Sequence, residues 1–323
     1  MDIQYLILLQ QLRILLGGCL DEIFNGISKV AVVVMPLLPA VIYWSVNKKW
    51  GYRFLATIWC GEVVNGLVKL TVCAYRPWIR AAQIEPAGDS KVAATGYSFP
   101  SGHTMCATAT YGTLAVWQYK KRRWVAVLCG VLIFLTMFSR NFLGVHTPQD
   151  VLVGFLETAL IIVLAGFVMK RAEGNARLIN LLSLAGIALV VVSLIYIQVK
   201  PYPMDYVDGE LLVDPQKMMK DCFNGCGGLL GLIVGAWLER RYIHYEIPIQ
   251  SRLLPVVTAL GLGLLYSWNE YFADATVVLL FGRNWGNFAA GLIAVLFVTA
   301  LFPLAIRRLC AGKETNGEHA TTE

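Results

Sequence analysis

Three short groups of residues follow one another along the chain: Lys69 with Arg76-Pro77, then Pro100-Ser101-Gly102-His103, then Ser139-Arg140 with His146 and Asp150. Together they supply three fixed cations, two histidines and one carboxylate. That inventory suits gripping a phosphate and transferring it through an imidazole. An arginine fork donates two bonds to one phosphate. Ser101 is a natural N-cap, so the turn after it presents free backbone N–H groups at the positive end of a helix dipole, with His103 at the mouth. Thr147 caps the next helix, and Pro148 takes its favoured first position. Asp150 then falls in the first turn, where the dipole stabilises a carboxylate. From there it can reach back to His146, fix the ring tautomer and leave the other nitrogen's lone pair free. Each piece has a plainer reading: Lys69 as a snorkelling anchor, Arg76 as a loop residue, Pro100 to His103 as a capped helix start, Asp150 as a cap. The histidines weigh against coincidence. Of four, His244 and His319 lie elsewhere, and only His103 and His146 stand beside helix starts in these groups.

The elements that must position these residues are apolar helices. The chain is 57% hydrophobic and 15% charged, with mean hydropathy +0.60, whereas a soluble domain carries about 25% charged residues. A membrane span needs roughly 20 apolar residues. Candidate spans run over 27–46, 52–73, 104–118, 125–138, 151–168, 178–199, 223–238, 254–268 and 288–306. The expected fold is all-α, a polytopic membrane bundle of about nine helices. Residues 1–26 read as an amphipathic interfacial helix, 27–170 as a catalytic core, 171–309 as additional spans and 310–323 as a disordered tail. With alternating spans, Lys48, Lys49 and Arg53, Lys120 to Arg123, Lys170, Arg171 and Arg177, Arg240, Arg241 and Arg252, and Arg307, Arg308 and Lys313 share one face. The positive-inside rule makes that face cytoplasmic. Asp89, Asp205, Asp208, Glu210, Asp214, Asp221 and Asp274 gather on the other face, with all three motifs. The net charge of +6 is thus a topology signal rather than a nucleic-acid surface.

Eight cysteines show neither a disulfide pattern nor metal-ligand spacing, and no cofactor or metal is expected. Glu62 lies seven positions before Lys69, and Glu157 seven after Asp150. Two helical turns put each carboxyl on the face of a motif residue. They read as the floor of a phosphate site, or as interhelical hydrogen bonds; Asn65 shares the face of Glu62. Gly227, Gly231 and Gly235 form a small-residue stripe, for packing within the chain or for a homodimer. The loop from Trp78 to Phe99 is placed to cover the site.

The ordered set of motifs resembles the phosphatidic acid phosphatase type 2 superfamily, integral membrane lipid phosphatases related to vanadium haloperoxidases. The resemblance covers roughly residues 27–169 and leaves the last three spans aside. It implies that Lys69, Arg76 and Arg140 bind phosphate oxygens with Ser101 and the Gly102 amide. It also implies that His146 attacks phosphorus, His103 protonates the leaving oxygen and Asp150 orients His146, without a metal.

The expected function is a lipid phosphate or pyrophosphate phosphatase in the cell membrane (plasma or inner), multi-pass, with its site on the extracytoplasmic face. Its partners are then the bilayer and a lipid phosphate: phosphatidate, phosphatidylglycerol phosphate, polyprenyl pyrophosphate or a long-chain-base phosphate. The same intermediate could pass phosphate to a lipid or sugar hydroxyl, making a phosphotransferase. A third reading is a lipid-phosphate transporter that binds without turnover, although no interrupted spans in matching halves are visible.

Overall fold

The computed structural model describes residues 2–34, 37–94, 96–207 and 209–311, with the backbone alone at 34, 92–93, 274–277 and 311. Asp208, Lys313 and the tail from 312 onward lie outside the described residues; Cys310 and Ala311 still belong to the final helix, Phe302–Ala311. The chain is an all-α bundle. Its main helices are α1 (Asp2–Leu15), α2 (Asp21–Lys29), α3 (Lys48–Val72), α4 (Gly102–Ala107), α5 (Arg123–Phe142), α6 (Pro148–Ala172), α7 (Ala176–Val199), α8 (Pro215–Leu238), α9 (Leu254–Ser267) and α10 (Arg283–Leu296). The described strands are two-residue pieces, β1 (Tyr206–Val207) and β2 (Glu210–Leu211), paired antiparallel in the loop after α7.

Six helices are long and apolar enough to cross a membrane, or seven if the pair Asp21–Val33 and Leu38–Val46, bent by 43°, is one span. Nine were expected. The remaining candidates are broken into shorter pieces: α4 passes through a widened turn at Thr108–Gly112 into Thr113–Gln118, and α9 is 14 residues long. The expected interfacial segment is helical. It docks on the loop after α3 rather than lying apart: Gln10 Nε2 donates to Gln83 O, Arg13 Nη2 donates to Glu85 O at 2.6 Å, and Asp2 pairs with Arg80 at 2.8 Å.

Lipid tails are as apolar as leucine, so helices in a bilayer are held by close backbone approach rather than by hydrophobic expulsion. α8 shows this along two faces. A Cβ at Gly227 would stand 1.9 Å from Phe288 O, one at Gly231 2.7 Å from Leu292 O, and one at Gly235 1.9 Å from Thr299 Oγ1. The glycine stripe therefore receives α10 and the segment after it within the same chain. On another face, a Cβ at Gly225 would meet Glu62 at 3.0 Å and one at Gly228 would meet the Trp59 ring at 2.0 Å. The additional helices thus pack directly on α3, beside the face that carries Lys69.

Candidate active site

Helix ends place the motif side chains. α3 stops at Val72; Cys73 takes a left-handed conformation (φ 53°) and its N–H bonds to Lys69 O. This holds Lys69 in the last turn and sends the chain to Arg76, whose Nε donates to Gly96 O and Nη1 to Val145 O. Between α5 and α6 the reversal is tight. Gly144 (φ 73°) closes the end of α5, and the N–H groups of Val145 and His146 both bond Arg140 O. Thr147 and Asp150 form a reciprocal capping box with Pro148 at the helix start. His146 is thereby pinned between two helix ends, with its carbonyl held by Asn141 Nδ2 at 2.9 Å.

The geometry at His146 is that of an oriented imidazole. Its Nδ1 lies 3.3 Å from Asp150 Oδ2, which also accepts the Thr147 N–H at 2.8 Å and the Ser98 hydroxyl. Arg76 Nη1 donates to His146 Nε2 at 2.8 Å. These partners assign the proton to Nδ1 and the lone pair to Nε2. Burial, then the Arg76 guanidinium, holds the ring below the ordinary imidazole range, against the pull of Asp150.

Ser101 caps α4, accepting the Thr104 N–H, while its own N–H bonds Asp150 O at 3.0 Å. The starts of α4 and α6 therefore lie side by side. Their closeness demands a glycine, since a Cβ at Gly154 would stand 2.8 Å from Ser101 O. Gly102 stands near Lys69: a Cβ there would sit 3.7 Å from Lys69 Nζ, in ordinary contact. Arg140 is buried, and Nη1 donates to Ser28 Oγ at 3.2 Å, but Nε and Nη2 find no partner among the described residues. Buried guanidinium nitrogens are normally hydrogen-bonded, because the unpaired charge is costly. Two such donors aimed beside a histidine suit an oxyanion.

A cavity of about 500 Å³ brings Lys69, Arg76, Gly102, His103, Arg140 and His146 together. Asp150 stands behind His146, and Ser101 is fully buried at the cap rather than on the cavity wall. Glu62 and Asn65 line the floor, and Asn65 Nδ2 donates to Glu157 Oε1 at 2.6 Å. The far wall comes from α8, α10 and the segment after α9: Asp221, Asn224, Asn269 and Asn287 among others. Sequence reading missed this wall, and it missed Ser98, Asn141 and Ser28. The signal for the wall was an asparagine inside apolar α8 and another near the start of α10, since polar groups in spans face the protein interior.

A family model of the PAP2 superfamily matches residues 50–173. The chain is 30% identical over 159 residues to phosphatidylglycerophosphatase B of Bacillus subtilis, spanning 46% of this chain and 75% of that relative. The chain belongs to the PAP2 superfamily. It is also 33% identical over 167 residues to undecaprenyl-diphosphatase BcrC of Bacillus subtilis, 50% of this chain and 79% of the relative. A likeness to lipid phosphate phosphatase delta of Arabidopsis thaliana is weaker, 24% identical over 259 residues, but covers 76% of this chain and 59% of the relative. No solved structure matches the chain significantly. The family match ends at residue 173, so α8, α9 and α10, which build the far wall, lie beyond it.

Proposed function

We propose that this PAP2 protein is an integral membrane lipid phosphatase. On this reading it removes a phosphomonoester or pyrophosphate head group on the extracytoplasmic face through a phosphohistidine. The observation that carries the reading is the buried His146 ring, set between Asp150 and Arg76 in a cavity where Arg140 keeps two donors for an oxyanion. The names of the relatives, a lipid phosphatase and a lipid diphosphatase, agree with it.

The steps follow from the atoms. Lys69, Arg76 and Arg140 hold the phosphate oxygens and offset the charge that grows on them. A phosphorus brought to His146 Nε2 meets Arg76 at once, so the guanidinium passes from the ring nitrogen to a phosphate oxygen. Nε2 gives its lone pair to phosphorus as the bond to the leaving oxygen breaks, and His103 gives that oxygen a proton. Asp150 stabilises the positive ring. Water then attacks phosphorus, His103 takes its proton, and the N–P bond breaks to return neutral His146 and inorganic phosphate. The cations and Asp150 suffice for these steps without a metal. The basic loops, read by the positive-inside rule, support a motif end outside the cytoplasm.

Rapid quenching with a lipid labelled in its terminal phosphate tests the mechanism. The expected result is an acid-labile, alkali-stable phosphoenzyme in the wild type and none in His146→Ala. Label retained in His146→Ala, or turnover unaffected by that change, rules out this nucleophile.

A further inference from the structure

The wall that the C-terminal helices supply to the cavity has a chemistry of its own. Asn224 on α8, Asn269 after α9 and Asn287 on α10 come from three separate elements to one cavity. Asn224 Nδ2 donates to Asn287 O at 3.2 Å and Asn287 Nδ2 to Arg283 O at 2.6 Å, leaving both Oδ1 atoms without a partner among the described residues. Asn269 is exposed, and neither end of its amide has a partner among the described residues. Its position is held by its neighbour, since Trp268 Nε1 donates to Ala290 O at 3.2 Å. Asp221 and Glu62 stand in the same cavity, and among the lining cations only Lys220 belongs to the C-terminal helices.

Adjoining this cavity is a smaller, mostly apolar slot of about 110 Å³, lined by Ile58, Trp59, Leu265 and Val295 among others. It shares Ile58, Trp59, Asn224 and Asn269 with the main cavity. Asn224 and Asn269 thus stand where the cavity that holds the cations adjoins the apolar slot. A cavity of about 500 Å³ is of the size that takes a drug-sized ligand, roughly 300–1,000 Å³, and far exceeds one phosphate.

We propose that the three asparagines form a subsite for a neutral, oxygen-bearing linker between the phosphate and the hydrocarbon chain. Such a linker is the hydroxyl- and ester-bearing backbone of a glycerol-type lipid phosphomonoester. This deepens the phosphatase reading and rests on it. Amide oxygens accept from hydroxyls, and the Asn269 NH₂ donates to ester carbonyls. Asp221 and Glu62 accept from hydroxyls. A polyprenyl phosphate has hydrocarbon directly after its phosphate and would leave these amides unmatched. A subsite that hydrogen-bonds its ligand favours it over one that lacks the matching oxygens, by about the worth of each bond.

The test compares three substrates in mixed micelles with the purified full-length protein: a diacylglycerol phosphate, a polyprenyl monophosphate and a polyprenyl diphosphate. Wild type, Asn269→Leu, Asn224→Leu and His146→Ala are assayed side by side. The subsite predicts that wild-type kcat/KM favours the diacylglycerol phosphate over both polyprenyl substrates. Each asparagine variant then loses about three- to tenfold on the diacylglycerol phosphate, as for one hydrogen bond, and stays within twofold on polyprenyl monophosphate. A wild-type preference for either polyprenyl substrate overturns the proposal. So does an equal loss on all substrates, which marks a structural role, or no loss on any. If His146→Ala retains wild-type turnover, the phosphohistidine reading fails while the substrate ranking still judges the subsite; if wild type releases phosphate from none of the three, both fail.

Discussion

At the scale of single residues, the site is a histidine with each nitrogen given a separate task. Asp150 and Arg76 hold opposite sides of the His146 ring. Asp150→Asn keeps the cap but loses the charge, and is expected to lower kcat by roughly 10²–10⁴-fold with a small change in KM; steady-state kinetics on a lipid phosphate measure both. On the proposed mechanism His146 must be neutral to attack. Because burial and Arg76 depress its pKa, the ring stays neutral as pH falls through about 6.5, the ordinary imidazole value. The acid limb of kcat/KM should therefore show no His146 inflection there. In Arg76→Leu the repelling charge is gone, the pKa rises, and the residual activity should fall off at higher pH than in wild type. An unchanged or lower acid limb in that variant would contradict the assignment. The motif residues were legible because their types and order carry the chemistry. Ser98, Asn141 and Ser28 were not: Ser98 and Ser28 reach Asp150 and Arg140 across 52 and 112 positions of sequence, and Asn141 binds a backbone carbonyl that any polar residue nearby could serve.

At the scale of elements, the site depends on helix ends brought closer than side chains allow. Gly154→Val pushes a branched side chain into Ser101 O and Gly227→Val pushes one into Phe288 O. Overpacking of this kind costs about 1–3 kcal/mol, and both variants should melt earlier in detergent. Gly130 faces open space, so Gly130→Ala should leave the melting temperature unchanged or raise it, by up to about 1 kcal/mol of stability. Equal melting of all three would mean these contacts carry no load. Gly154→Val should in addition lose activity, since it separates the cap of α4 from Asp150. The long apolar runs of α3, α6 and α7 made those helices visible in sequence. The breaks after α4 and α9 were not visible, because residues around a widened turn keep the composition of a helix. The stripe on α8 was legible as small residues, but its partner was not, since the same stripe serves a neighbouring helix or a second chain.

At the scale of the whole molecule, the C-terminal helices complete the cavity that the motif side chains line. In sequence they were only apolar spans. Their asparagines gain meaning from three elements meeting at the cavity that Lys69 also lines, which no local pattern encodes. Topology is testable through Cys19, the only exposed one among the cysteines. It follows α1, which docks on Gln83 and Glu85 beside the motif end. A membrane-impermeant thiol reagent added to intact cells should label Cys19 and not the Cys19→Ser variant; protection until the cells are opened would put the site on the cytoplasmic face. The central claim, a phosphatase working through His146 without a metal, is tested most directly by phosphate release from a panel of lipid phosphates with EDTA present, wild type against His146→Ala. The account predicts release that EDTA does not diminish and that His146→Ala abolishes. Release that EDTA stops, or that the variant retains, would contradict it.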